Sequence, residues 1–318
     1  MERNILLDTI KIILSVFVLA VHCGFLFDQN KMVYQILING LFIIAVPFFL
    51  CTNGFFLLMV FKNNRIKVWL KRVAILYIIW MLVYSYFWLN LTHFNFIKVI
   101  PIILFGFNHL WYLAALLVGG LLLYFFQNLS NKTLIISAII LYTLGVSIQY
   151  LGLFHVFSNY AFLDKIMNYP PSHRNFLFYG LPFLSIGLVI KRTNFHLKIK
   201  KRHLYILLAM SFLLLVLDCL VNYYFLTHKT LVTMKLAYLL LGPVLFISAF
   251  RFKITSNINS KILSAYSIAI YLAHPLIIFL IINYFKLSPT VLTIATSILT
   301  VIASYFLIQL NSKLKYIL

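Results

Sequence analysis

Acidic residues are scarce in this chain. Asp and Glu together number five in 318 residues, against 26 Lys and Arg. All charged types make up only 10% of the sequence, while 64% is hydrophobic. A soluble domain of this length covers its surface with charge, so that class is excluded. Cysteine is also rare. Cys23, Cys51 and Cys219 lie scattered in apolar segments, without metal or disulfide spacing, and read as small core hydrophobes. There is no Walker loop, dinucleotide fingerprint, zinc-ligand spacing or nucleophile elbow. Internal repeats, low-complexity linkers and the alternating strands of a barrel are missing too. In lipid only helices and closed barrels satisfy the backbone, which leaves an all-α, polytopic membrane bundle.

Long apolar runs are what the chain has in abundance. Ten of them approach the roughly 20 residues that cross a bilayer. They fall near 5–27, 33–61, 68–92, 109–127, 133–153, 175–191, 203–226, 232–251, 262–285 and 289–311. Pro47 and Gly54 interrupt the second, which is expected to break or kink there. Asp8 and Lys11 interrupt the first, and no small-residue cleavage site follows, so it is expected to stay as an anchor. With the N-terminus in the cytoplasm, 19 basic residues face the cytoplasm and seven the opposite side. That bias predicts N-in and C-in topology in a cell inner membrane. It also accounts for most of the net charge of +21 without a nucleic-acid partner. Residues 1–318 are expected to form a single integral-membrane domain.

Ionisable residues are costly in hydrocarbon, so those inside the spans are functional candidates. In ILLDTIKIILSVFVLAVHCGFLF, Lys11 and His22 are eleven residues apart. At about 100° per residue they share one helical face, with His22 roughly 16 Å beyond Lys11. Asp8 lies one turn before Lys11 and Ser15 one turn after it. Other polar clusters are Val46–Phe56, the basic stretch Lys62–Arg72, His109-Leu110-Trp111-Tyr112-Leu113, Arg174 ahead of Phe178–Gly187, and Ser264–Pro275. Asp218 lies within LLLVLDCLVNYY and is expected to pair with a basic or hydroxyl group of another span.

In this order the clusters resemble the integral-membrane acyltransferase-3 family, and most of all its short, stand-alone sugar O-acetyltransferases. The family's first span carries a basic residue, ten others and a histidine, matched by Lys11 and His22. Its Pro-Phe-Phe…Ser-Gly-Phe pattern is matched by Pro47, Phe48, Phe49, Gly54 and Phe55, with Asn53 in place of the serine. His109, Leu110 and Trp111 match its His-Leu-Trp motif, and Ser267, Ile270, Tyr271 and His274 its penultimate span. The family usually has arginine at the Lys11 position, and its cytoplasmic paired-arginine motif is only approximated by Lys67, Lys71 and Arg72.

The resemblance implies acyl transfer, acetyl expected, from cytoplasmic acyl-CoA to a hydroxyl of a surface glycan such as lipopolysaccharide or its lipid-linked precursor. His22 is then the candidate base or acyl carrier, supported by Asp8 and Lys11. Lys67, Lys71, Arg72 and Lys11 are candidates for the donor, and His109, Trp111, Arg174, Tyr271 and His274 for the acceptor. Acetyl-CoA is a substrate in this reading. No tightly bound cofactor or metal is expected. The partners are acyl-CoA, a glycan or glycolipid, and membrane lipid. Two other readings fit a charged multi-span bundle: a glycolipid transporter or flippase, and an accessory subunit of glycan export.

Overall fold

The structure is a computed structural model that describes residues 4–89, 95–226, 231–252 and 259–318. Arg3, Lys229 and Lys253 of the charge count, and the last residues of the expected 68–92 span, lie outside the described residues. Helices make up the architecture, and no strand occurs among the described residues. In chain order they are α1 (Ile5–Cys23), α2 (Lys31–Leu37), α3 (Ala45–Lys62), α4 (Ile66–Val83), α5 (Ser85–Trp88), α6 (Phe96–Phe105), α7 (Trp111–Phe126) and α8 (Asn131–Leu153). Then come α9 (Ala161–Met167), α10 (Leu181–Thr193), α11 (Phe195–Lys198), α12 (Lys201–Phe225), α13 (Tyr238–Arg251), α14 (Ser260–Tyr284) and α15 (Pro289–Lys313). Among the described residues, eight segments are long and apolar enough to cross a membrane. Of the ten expected spans, the other two are α4, which carries Lys67, Lys71 and Arg72, and the shorter α13.

Several helix ends follow from local chemistry. Asn4, Asn30, Asn95, Ser130 and Asn259 cap the helices that follow them, each accepting from a free backbone N–H of the first turn. The expected interruption of the second span lies earlier than Pro47. Helix α2 ends at Leu37, a 3₁₀ turn spans Leu41–Ile44, and α3 begins at Ala45. Pro47 therefore sits in the first turn of α3, where its missing N–H breaks no helical bond. Gly54 leaves α3 continuous.

The chain divides into two compact units: residues 1–49 with 196–318, and residues 50–195. In the first, α1 packs along α14 and against α15, and α12 packs on α13 and α2. Leu19, Cys23 and Ile270 form a buried cluster there, flanked by Ile12, Val16, Ile278 and Leu292. In the second, α10 packs on α7 and α8, and α4 packs on α7. Its closest crossing rests on glycine. A Cβ on Gly54 would lie 2.0 Å from the Leu184 carbonyl oxygen, and one on Gly187 would lie 2.1 Å from that of Cys51. Small residues let helix backbones meet in this way where lipid supplies no hydrophobic drive to association.

Candidate active site

In the first unit, Asp8, Lys11 and Ser15 form one polar seam with α14. Lys11 Nζ donates to Asp8 Oδ1 at 2.9 Å, and Ser260 Oγ donates to Asp8 Oδ2 at 2.9 Å. One turn on, the hydroxyls of Ser15 and Ser267 lie 2.8 Å apart. Ser267 Oγ also reaches the Lys11 carbonyl at 3.1 Å. These bonds fasten α1 to α14 without exposing an unsatisfied group to lipid. Ser15 and Ser267 were visible in the sequence as neighbours of candidate residues. Ser260 was not, since only the fold brings it to Asp8.

His22 lies at the other end of the seam. The apolar run continues to Phe27, but α1 stops at Cys23. Gly24 adopts φ +72°, the left-handed conformation that glycine enters without strain. Its N–H and that of Phe25 close on the carbonyls of Val21 and Ala20, a Schellman ending. His22 thus occupies the last helical turn, with its ring exposed, rather than the middle of a longer helix.

The buried ring of His274 stands 5.1 Å from the His22 ring, centroid to centroid, and Tyr271 lies 6.5 Å from His274, three residues earlier on α14. His274 Nδ1 is 3.1 Å from the Ile270 carbonyl oxygen. A carbonyl only accepts, so Nδ1 carries the hydrogen and the neutral ring keeps its lone pair on Nε2. The structure therefore gathers Asp8 with Lys11, and His22 with His274 and Tyr271.

The remaining candidates belong to the second unit. Lys67, Lys71 and Arg72 are all exposed on α4. His109 is buried against Tyr84, with ring centroids 4.9 Å apart. Trp111 opens α7, and the Arg174 guanidinium lies over its ring at 4.9 Å. Arg174 precedes a π-helical turn, Phe176–Gly180, in which Gly180 presses on the backbone of Ala115. Such turns recur at functional sites. Burial, and then the neighbouring Arg174 cation, hold the His173 imidazole down at about 4. Burial lowers the Arg174 guanidinium to about 10, so it stays charged at neutral pH.

Two features lay outside the sequence-based site. Asn53 Nδ2 donates to the Tyr112 hydroxyl at 3.0 Å, so the residue in the serine position ties α3 to α7. Asp218, which had no assigned role, bonds Asn222 at 3.1 Å and lies within electrostatic reach of the fully buried Lys235.

A family model described as an acyltransferase domain matches residues 4–309. Two curated relatives from Enterococcus faecalis, each named amino-acid racemase, are also similar. One is 24% identical over 97% of this chain and 46% of its own length. The other is 27% identical over 57% of this chain and 27% of its own length. The chain thus spans less than half the length of these relatives. No solved structure matches it. The resemblance first carried by Lys11, His22, His109–Trp111 and His274 is matched over almost the whole length, and the chain belongs to the acyltransferase-3 family of membrane acyltransferases.

Proposed function

We propose that the protein moves an acetyl group from acetyl-CoA to a hydroxyl of a surface glycan or its lipid-linked precursor, in the cell inner membrane. The observation that carries this reading is the exposed His22 imidazole backed by the buried His274 ring, 5.1 Å away. An alcohol is a weak nucleophile at neutral pH. A neutral imidazole takes its proton as the oxygen attacks the thioester carbonyl. The C–S bond then breaks, the new ester leaves with the acyl group, and the CoA thiolate recovers the proton from imidazolium. His274, with its tautomer set by Ile270, is a positioning residue for His22.

Asp8 holds Lys11 at 2.9 Å and keeps its ammonium in place on the His22 face of α1. The exposed Lys67, Lys71 and Arg72 suit the multiply charged CoA, which attracts a basic surface. His109, Trp111, Arg174 and Tyr271 supply aromatic and charged contacts of the kind a glycan acceptor uses.

The test is transfer of labelled acetyl from acetyl-CoA into glycolipid by membranes of matched protein content. Wild type is expected to transfer label, and His22→Ala to lose about 10²–10⁴-fold in rate, the usual contribution of a positioned base. Equal rates would remove His22 from the chemistry. Movement of glycolipid across the membrane without acetylation would replace the enzyme by a transporter.

A further inference from the structure

Arg174 is a partly buried cation without a counter-charge among the described residues. The chain has five carboxylates, and Glu2 lies outside the described residues. The other four are committed elsewhere. Asp8 binds Lys11 and Ser260, Asp28 binds Thr290, Asp164 binds His155, and Asp218 binds Asn222. No salt bridge reaches Arg174, and its Nε is sealed from solvent with no hydrogen-bond partner. A guanidinium in this condition keeps its desolvation penalty unless an anion arrives.

The surroundings favour such an anion. The Trp111 ring covers one face of the guanidinium, 4.9 Å away. Trp111 is also the first residue of α7, which runs on directly from a 3₁₀ turn at Asn108–Leu110. The neighbouring His173 is buried with an unpartnered Nδ1. It adds no negative charge.

We propose that Arg174 and Trp111 form an oxyanion site that takes a phosphate ester. The planar fork of arginine matches two phosphate oxygens, which a lysine ammonium does not. Two sources carry this chemistry: the phosphate of a lipid-linked sugar acceptor, and the headgroup of a bilayer phospholipid. The site itself stands without the acyl-transfer reading, and only its assignment to the acceptor rests on that reading.

The full chain in dodecyl maltoside, free of phosphate, is titrated with inorganic phosphate at constant ionic strength in chloride, and the unfolding midpoint is followed. Phosphate is expected to raise the midpoint of wild type. Arg174→Gln should need at least about tenfold more phosphate, as the loss of a charge-assisted hydrogen bond requires. Arg174→Lys should be weaker than wild type by a smaller factor, and it carries the test if the Gln variant does not fold. His22→Ala must respond as wild type does, so failure of the acyl-transfer reading leaves this result unaffected. Phosphatidylglycerol added to the micelles identifies the source. Arg174-dependent displacement of phosphate assigns the site to a lipid headgroup, and absence of displacement assigns it to a sugar-borne phosphate. Equal affinity in wild type, Arg174→Gln and Arg174→Lys, or no response of wild type to phosphate or lipid, overturns the site.

Discussion

Lys11 and Arg174 are both partly buried cations, and the two units treat them differently. Lys11 has a carboxylate at 2.9 Å, and that carboxylate has a serine on its other oxygen. Arg174 has an indole face and a sealed, unpartnered Nε. The first arrangement is complete within the protein and serves to hold a helix face in register. The second is complete only with a ligand. The joints between helices differ in the same sense. In the first unit α1 and α14 are fastened by the hydroxyls of Ser15 and Ser267. In the second, α3 and α10 meet through Gly54 and Gly187 with almost no space between backbones.

The glycine joint gives the largest expected effect on stability. Gly54→Ala puts a methyl group 2.0 Å from the Leu184 carbonyl oxygen, and neither backbone has a flexible end to move aside. Overpacking of this kind costs about 3 kcal/mol or more once helices must separate. The variant should lose most of its folded yield in detergent. Ser15→Ala, which removes one bond from a seam that keeps Asp8–Ser260, should lose far less. Equal losses would erase the distinction between the two joints.

Asp8→Asn turns Lys11 into a cation of the Arg174 kind. Breaking a buried pair costs about 3–5 kcal/mol, and the Lys11 side chain is 18% exposed, so about 2–4 kcal/mol is expected. The unfolding midpoint should fall, and Asp8→Asn combined with Lys11→Met should recover much of it. If the single variant is as stable as wild type, the carboxylate does not compensate Lys11.

Much of this fold was legible because hydrophobic run length is enough to mark a membrane helix. The runs expected at 133–153 and 289–311 became α8 and α15 to within two residues at either end. Ends set by backbone chemistry were harder to find. The apolar run through Phe27 hid the Gly24 stop, because glycine is unremarkable in a hydropathy count and decisive for the last turn. Pro47 suggested a break that falls several residues earlier, because a proline in the first turn interrupts nothing. At the site, the Lys11–His22 spacing was readable from helical period alone. The Ser260–Asp8 bond and the His22–His274 pair join residues about 250 positions apart, and only packing creates them. The same holds for the stacking of Arg174 on Trp111, since nothing near Arg174 in sequence indicates that its charge lacks a partner.

His173 sharpens the comparison from the side of pH. Its imidazole is held at about 4 by burial and by the adjacent Arg174, whereas an unfolded histidine titrates near 6.5. Below 6.5 the unfolded chain binds a proton that the folded chain refuses, so stability falls as pH drops from about 6.5 toward 4 and levels off below that. About 2 kcal/mol should be lost by pH 5. Unfolding midpoints of wild type and His173→Gln, followed from pH 7.5 to 5, measure the effect as the difference in slope. Parallel curves would mean that His173 takes up its proton in the folded state, and that the Arg174 neighbourhood is less positive than its residues require.

Removing Arg174 gives the smallest effect and the sharpest contrast. In phosphate-free detergent, Arg174→Gln loses a cation–π contact of about 0.5–1 kcal/mol and is relieved of a buried, unpaired charge. The two terms oppose each other, so the unfolding midpoint should change by less than that of Asp8→Asn and can rise. A loss as large as that of Asp8→Asn would mean that Arg174 is already compensated within the chain, and the two cations would then differ only in how their partners are supplied.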